Sequence, residues 1–221
     1  MPIKEIVCLA YSRKLGGSCF AGIDLATRKW IRAIGEHQNG ALADNDCFMR
    51  DRTGRFALPD ILDVIEIDFS AARPIPAQPE NWKIAGSEWK KLRQAGMVER
   101  DLLVQCLVDD PELFRGYERY VTKQEVEARP PASSLALVRP ERLSWSPKTD
   151  RYGRKGYKGT FTVSGATYDL PLTDDRHAAK LAAGTFAGGR EAATETLLTI
   201  SLGDLYEDTG RYYKLIAGVV E

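Results

Sequence analysis

The chain has 221 residues, enough for one large domain or two small ones. Its 43% hydrophobic and 28% charged fractions suit a globular protein with a real core, and 31 basic residues balance 31 acidic ones. Zero net charge argues against a protein that coats nucleic acid by bulk electrostatics, although it leaves room for a local basic groove.

The first segment, IKEIVCLAY, is short and rich in β-branched and apolar residues, the composition of a strand. RKLGGS at 13–18 makes a glycine turn, CFAGIDL is a second strand, and residues 26–29 turn the chain into a third, WIRAI. Gly22 inside the second strand predicts a bend or bulge where a small barrel curls. Residues 35–59 show little periodicity and read as a long loop. ILDVIEIDF at 61–69 alternates apolar residues with Asp63, Glu66 and Asp68, giving a strand one wet and one buried face. Pro74, Pro76 and Pro79 then keep AARPIPAQPENWKI extended along a surface. Ser87 is placed as the N-cap of a short helix, SEWKKLRQAG, that ends at Gly96, and VERDLLVQCLVDD has apolar residues near helical spacing. Asp110–Pro111 opens another helical turn, so 87–116 reads as a helical insert, with RPPASS at 129–134 as a linker.

In the second half, LALVRPERLSW is a strand, and GYKGTFTV and ATYDLPL form a hairpin about Ser164–Gly165. Thr173 caps a helix, DDRHAAKLAAG, that stops at Gly184, and ETLLTISLG and RYYKLIAGVV are two closing strands. Three strands, a helix and two strands is the element order of an OB-fold. The first half begins the same way, with YERYV at 117–121 as the candidate for its fifth strand. The expected fold is mainly β with minor α: two OB-like Greek-key barrels packed together with a helical insert. The expected boundaries are 1–86 for the first barrel, completed by 117–122, then 87–128 for the insert and connector and 129–221 for the second barrel.

Several stretches resemble the bacterial dual OB-containing domain proteins: KEIVCLAYSRKLGGSCFAGIDLATRKWIR near the start, QPEN at 78–81, SLALVRPERL at 134–143, YDLPLTDD at 168–175, and SLGDLYEDTGRYYKLIAGVVE at the end. Arg28 and Ala33 stand where that family's pattern has glycine and proline. The resemblance implies two OB-type barrels and a nucleic-acid or nucleotide-binding role, in the setting of prokaryotic conflict systems, and it brings no assigned catalytic activity.

Arg13, Lys14, Trp30 and Arg32 are the first candidate contacts, since OB-folds hold single strands by stacking bases on aromatics beside a positive groove. The competing reading has Trp30 filling the barrel and Arg32 paired with an acid. Residues 152–161, YGRKGYKGTF, are the best basic–aromatic cluster: Arg151, Arg154, Lys155 and Lys158 interleave with Tyr152 and Tyr157 in the expected loop between strands one and two of the second barrel. Against this stands a solvated loop tip. Gln78, Glu80 and Asn81 offer donors and acceptors for a base or ribose edge, or equally for buried backbone groups. Lys214, near Ser201, Gly203, Asp204 and Tyr213, is a candidate phosphate contact or a lysine on a wet face.

Cysteines 8, 19, 47 and 106 form no CxxC pair, and His37 and His177 are the only histidines, so neither a zinc site nor a histidine-rich metal site is expected. Cys8 and Cys19 are expected as buried thiols and His177 as exposed. Thr173, Asp174 and Asp175 read as helix-start chemistry rather than metal ligands. No nucleophile elbow, Walker A, HExxH or GxGxxG is present, and Ser12 near Lys14 gains no oxyanion hole. The leading expectation is a non-enzymatic module without cofactor that binds single-stranded nucleic acid or a nucleotide. A protein-interaction scaffold using 87–116 is the alternative, and a nuclease or nucleotide hydrolase gathering Mg²⁺ at Asp24, Glu66 and Asp68 is a third reading. No apolar run spans a bilayer and the N-terminus does not read as a signal peptide, so a cytoplasmic location is expected.

Overall fold

In the computed structural model, Ile3–Lys14 (β1) pairs antiparallel with Gly17–Asp24 (β2), and β2 pairs antiparallel with Trp30–Ile34 (β3). The structure describes residues 1–14, 17–37, 39–50, 54–116, 118–150, 153–184 and 195–221. They fall into two units, Met1–Cys106 and Leu107–Glu221.

The first unit continues with Met49–Arg50 (β4), Phe56–Ala57 (β5), Asp63–Ala72 (β6), Asn81–Ile84 (β7), Trp89–Gln94 (β8) and the helix Met97–Gln105 (α1). Its sheet closes on itself through β1, β2, β3, β7 and β6, because β6 also pairs with β1. β3 and β7 run parallel, and the other pairs in the ring are antiparallel. Phe20, Ile31, Ile65, Ile67, Phe69 and Trp89 fill the interior. The curl has a visible device. A one-residue shift falls between Cys8 and Ala10 on β1, opposite Gly22 and Ala21 on β2. A Cβ on Gly22 would lie 2.0 Å from the Val7 carbonyl oxygen, so only glycine allows this approach.

Three expectations for the first half are corrected. The barrel's fifth strand is β7, inside the proline-rich stretch, whereas residues 120–122 pair in the second unit. The expected helix at 87–96 is instead β8, paired with β6. Acids on β6 meet bases on β8, with Lys90 Nζ 2.7 Å from Glu66 and Lys91 Nζ 2.6 Å from Asp63, and Trp89 turns into the core. These cross-strand contacts outweigh the local helical spacing. Asp110–Pro111 begins a series of turns rather than a helix, so α1 is the one regular helix within 87–116. The loop at 35–59 carries a short 3₁₀ turn at Asp44–Asp46 and the two short strands β4 and β5.

The second unit contains Tyr120–Thr122 (β9), Lys123–Ala128 (α2), Leu135–Val138 (β10), Arg142–Thr149 (β11), Lys155–Val163 (β12), Ala166–Pro171 (β13), Asp175–Ala182 (α3), Leu197–Tyr206 (β14) and Arg211–Val220 (β15). Two sheets form, β10-β14-β15-β9 and β11-β12-β13. The expected single strand at 135–145 is broken near Pro140, which cannot donate to a ladder, and so feeds both sheets. A parallel bridge between Leu172 and Ile216 links them again. Leu143, Phe161, Tyr168, Leu170, Ile200 and Ile216 lie between the sheets. Ser164 (φ 47°) and Gly165 (φ 79°) make the tight hairpin turn. The cap of α3 is Asp174, whose Oδ1 accepts from the Arg176 and His177 N–H groups at 3.0 Å, while the Thr173 hydroxyl donates to the Ile216 carbonyl. The fold is thus mainly β, a closed barrel and a half-barrel sheet, consistent with two OB-like barrels.

Candidate nucleic-acid interface

The first-unit candidates separate into two groups. Arg13 lies opposite Ser18 at one end of β2, and Trp30 lies opposite Ile23 at the other. Five residues of strand put about 17 Å between those positions, so the two do not form one site. Arg13 is exposed, Trp30 half-buried, and the Lys14 side chain lies outside the described residues.

Arg32, Gln78, Glu80 and Asn81 do come together, and all four are buried. Arg32 pairs in register with Asn81 across the parallel β3–β7 contact, and the Arg32 N–H donates to the Glu80 carbonyl at 3.0 Å. Its Nε donates to Glu80 Oε1 at 3.3 Å and its Nη1 reaches Cys19 Sγ at 3.8 Å. Asn81 Nδ2 donates to Gln78 Oε1 at 3.1 Å. A buried guanidinium needs such a counter-charge, and the pair holds the loop at 73–80 against the barrel. This geometry supports the structural reading of these residues.

In the second unit, β12 already includes Tyr157 and Lys158, so they do not sit on a loop. Strand alternation sends them to opposite faces. Lys158 is paired with Asp169 Oδ2 at 2.8 Å, and Arg154 Nε with Asp150 Oδ2 at 2.7 Å. Although burial alone would raise the Asp169 carboxyl, hydrogen bonds from Lys158 and Thr160 hold it below its usual range. Arg151 and Tyr152 lie outside the described residues.

Lys214 is on neither a wet face nor a phosphate-facing surface. It is fully buried, and its Nζ donates to the Gly116 carbonyl and lies 5.3 Å from the Tyr168 ring centroid. Burial pushes its ammonium down to about 8, against the pull of Glu118, Glu125 and Glu112. His177 is buried too, not exposed, 4.8 Å from the Trp145 ring. Burial lowers its pKa, against the opposing effect of Glu221 and Asp174. Cys8 is buried as expected, and Cys19 is half-buried.

The acids Asp24, Glu66 and Asp68 each have a different partner: Lys4, Lys90 and Ser87 respectively. Burial favours a higher pKa at Asp24, but Lys4, Thr27 and the Ala26 N–H outweigh it and lower the pKa. Among the described residues no three His, Cys, Asp or Glu side chains gather as metal ligands.

The structure instead assembles an aromatic stripe across β14, β15 and β9. Tyr206 lies opposite Arg211, Arg211 opposite Thr122, and Tyr213 opposite Tyr120. Residues opposite one another or two apart on a strand share a face, so Tyr206, Arg211, Tyr213 and Tyr120 do so. The other face carries Val121, Leu202 and Lys214, all buried. The Tyr120 and Tyr213 centroids are 6.1 Å apart and those of Tyr206 and Tyr213 6.2 Å apart, both edge-to-face. Tyr206 is 42% exposed. A hydrogen bond with Thr209, with Arg211 nearby, holds the Tyr213 hydroxyl below its ordinary pKa. Arg119, also exposed, precedes Tyr120. The missed signal was the alternation around the last turn: Tyr206, then EDTG, then Arg211 and Tyr213.

The chain has no sequence match among the curated proteins. Residues 4–219 match the model of the dual OB-containing domain, which covers nearly the whole chain. The barrel topology of the first unit, the strand and helix order of the second and this match together assign the chain to the dual OB-containing domain family.

Proposed function

We propose that the chain is a non-enzymatic module that binds single-stranded nucleic acid or its nucleotides, with the tyrosine stripe of the second unit as the stacking surface. The observation that supports this reading is the shared face of Tyr120, Tyr206, Tyr213 and Arg211. Every base has a π-face, and a base stacked on an aromatic side chain gains about 1–3 kcal/mol. A guanidinium beside the rings supplies a phosphate contact or a second stacking plane. A prokaryotic conflict system is the setting we propose for the module, in keeping with its family resemblance.

The test is competition. A labelled single-stranded oligonucleotide should bind, and an unlabelled duplex of the same sequence should displace it much less well than the single strand. Equal competition by the duplex would contradict stacking on unpaired bases.

A specific observation favours a protein partner as the second reading. Met97 is 80% exposed and Val98 78%, at the start of α1 and within the segment 87–116. Adjacent apolar side chains in water are a modest contact surface. Retention of a partner after nuclease treatment, with loss on Met97→Asp, would support it.

A further inference from the structure

Within the second unit a cavity of about 280 Å³ opens between the segment around residues 114–115, α2 and the buried face of the β9–β15–β14 sheet. Phe114, Val121, Val126 and Leu202 give it apolar walls, and the charged residues Arg115, Arg129 and Glu125 also line it. Its volume is at the small end of ligand pockets and suits one ring or a short acyl chain.

The wall is built rather than incidental. Phe114 (φ 53°) and Arg115 (φ 66°) are consecutive non-glycine residues in the left-handed region. Such a conformation persists only where the surroundings enforce it, and it concentrates at ligand sites. Here the enforcement is visible. The Tyr168 hydroxyl accepts from the Leu113 N–H at 2.9 Å and lies within donating range of the Pro111 and Gly116 carbonyls. Lys214 Nζ also donates to the Gly116 carbonyl.

The charges are equally specific. Arg115 Nη1 donates to the Arg129 carbonyl at 3.0 Å, which fixes the first guanidinium. Among the described residues neither Arg115 nor Arg129 has an ion-pair partner. The one lining acid, Glu125, is engaged elsewhere: its Oε2 accepts from the Thr122 N–H at 2.7 Å and from the Thr122 hydroxyl at 2.6 Å. Two guanidinium-bearing residues against one carboxylate leave the lining net cationic, which complements a ligand with an apolar body and an anionic head.

We propose that this cavity is a binding site for a small apolar-bodied anion, a carboxylate or phosphate carried on a single ring or short acyl chain. The site is distinct from the tyrosine stripe, which occupies the other face of the same sheet.

The test uses the full chain with phenylacetate, phenyl phosphate and hexanoate as probes, and neutral phenylacetamide as the control, read by ligand-observed NMR. At least one anion should bind at millimolar or lower concentration, and about tenfold more tightly than the amide, the loss expected when a charged hydrogen-bond partner is removed. Arg129→Gln, at an exposed position, should weaken the anion by a similar factor and leave the amide unchanged. Ala128→Trp, also exposed, should fill the mouth and abolish binding. Phenylacetamide binding as tightly as phenylacetate, retention of binding in both variants, or no binding by any of the three anions would each overturn the proposal.

Discussion

Arg211 lies over the ring of Tyr120, its guanidinium carbon 4.0 Å from the centroid. The two are diagonal neighbours on adjacent strands, since Arg211 faces Thr122 and Tyr213 faces Tyr120. The long side chain therefore crosses one register step to reach the ring, as diagonal pairs in antiparallel sheets can. This contact sets one edge of the stripe and leaves Tyr206 as its most exposed ring.

The exposed ring carries the first prediction. Tyr206→Ala should weaken single-strand binding about tenfold, near the middle of the range for losing one base stack. Tyr206→Phe should bind like the parent, because the face of the ring, not the hydroxyl, makes the contact. Anisotropy titrations of both variants check this. A loss in Tyr206→Phe equal to that in Tyr206→Ala would assign the contact to the hydroxyl instead.

Salt dependence follows from the charges nearby. Arg211 is on the stripe face and Arg119 is close enough to act electrostatically on Tyr213, whereas Glu207 and Asp208 lie in the intervening turn. Two neutralised phosphates correspond to a slope of log K against log salt of about −1.4 for a single strand. Titrations at several salt concentrations measure it. A slope several times steeper would place the polymer on another, more basic surface.

Much of the scaffold was legible in the residues. The opening meander, the Gly22 distortion, the Ser164–Gly165 hairpin and the two closing strands all carry local signals that the structure repeats. Arg28 has φ 58°, the region glycine enters without strain. What was illegible depended on distant partners. β8 looks helical until the acids of β6 are set beside it, and β7 is four residues in a proline-rich stretch. The candidate site suffered in the same way. Arg32 and Glu80 read as contacts because nothing local reveals that they neutralise each other. Tyr120 joins Tyr213 only through a strand pairing more than ninety residues distant in the chain.

The Arg32–Glu80 pair gives a stability prediction. Side-chain exposure is 3% and 4%. Removing one partner strands a buried charge, at a cost of about 3–5 kcal/mol. Arg32→Met and Glu80→Met should each lower the chemical-denaturation midpoint, and the double variant should lose less than the sum of the two. Strict additivity would mean that the side chains do not interact.

Lys214 gives a pH dependence of definite sign. Its pKa falls from 10.5 to about 8 on folding, so between those values the unfolded chain binds more protons than the folded one. Stability from this group therefore rises with pH across that window. The gap corresponds to about 3 kcal/mol. Lys214→Met lacks the titration, so its stability relative to the parent should be highest below pH 8 and should decline toward pH 10.5. Paired denaturation curves across this range measure the difference, and a difference that grows with pH would contradict the assignment.

Stacking on the tyrosine stripe is tested by anisotropy of a labelled single-stranded oligonucleotide with the parent chain and with Tyr206→Ala/Tyr213→Ala, both confirmed as folded by circular dichroism. Micromolar or tighter binding by the parent is expected, with a loss of at least about tenfold in the double variant. Equal affinity in the two proteins, or no single-strand binding by the parent, would contradict it.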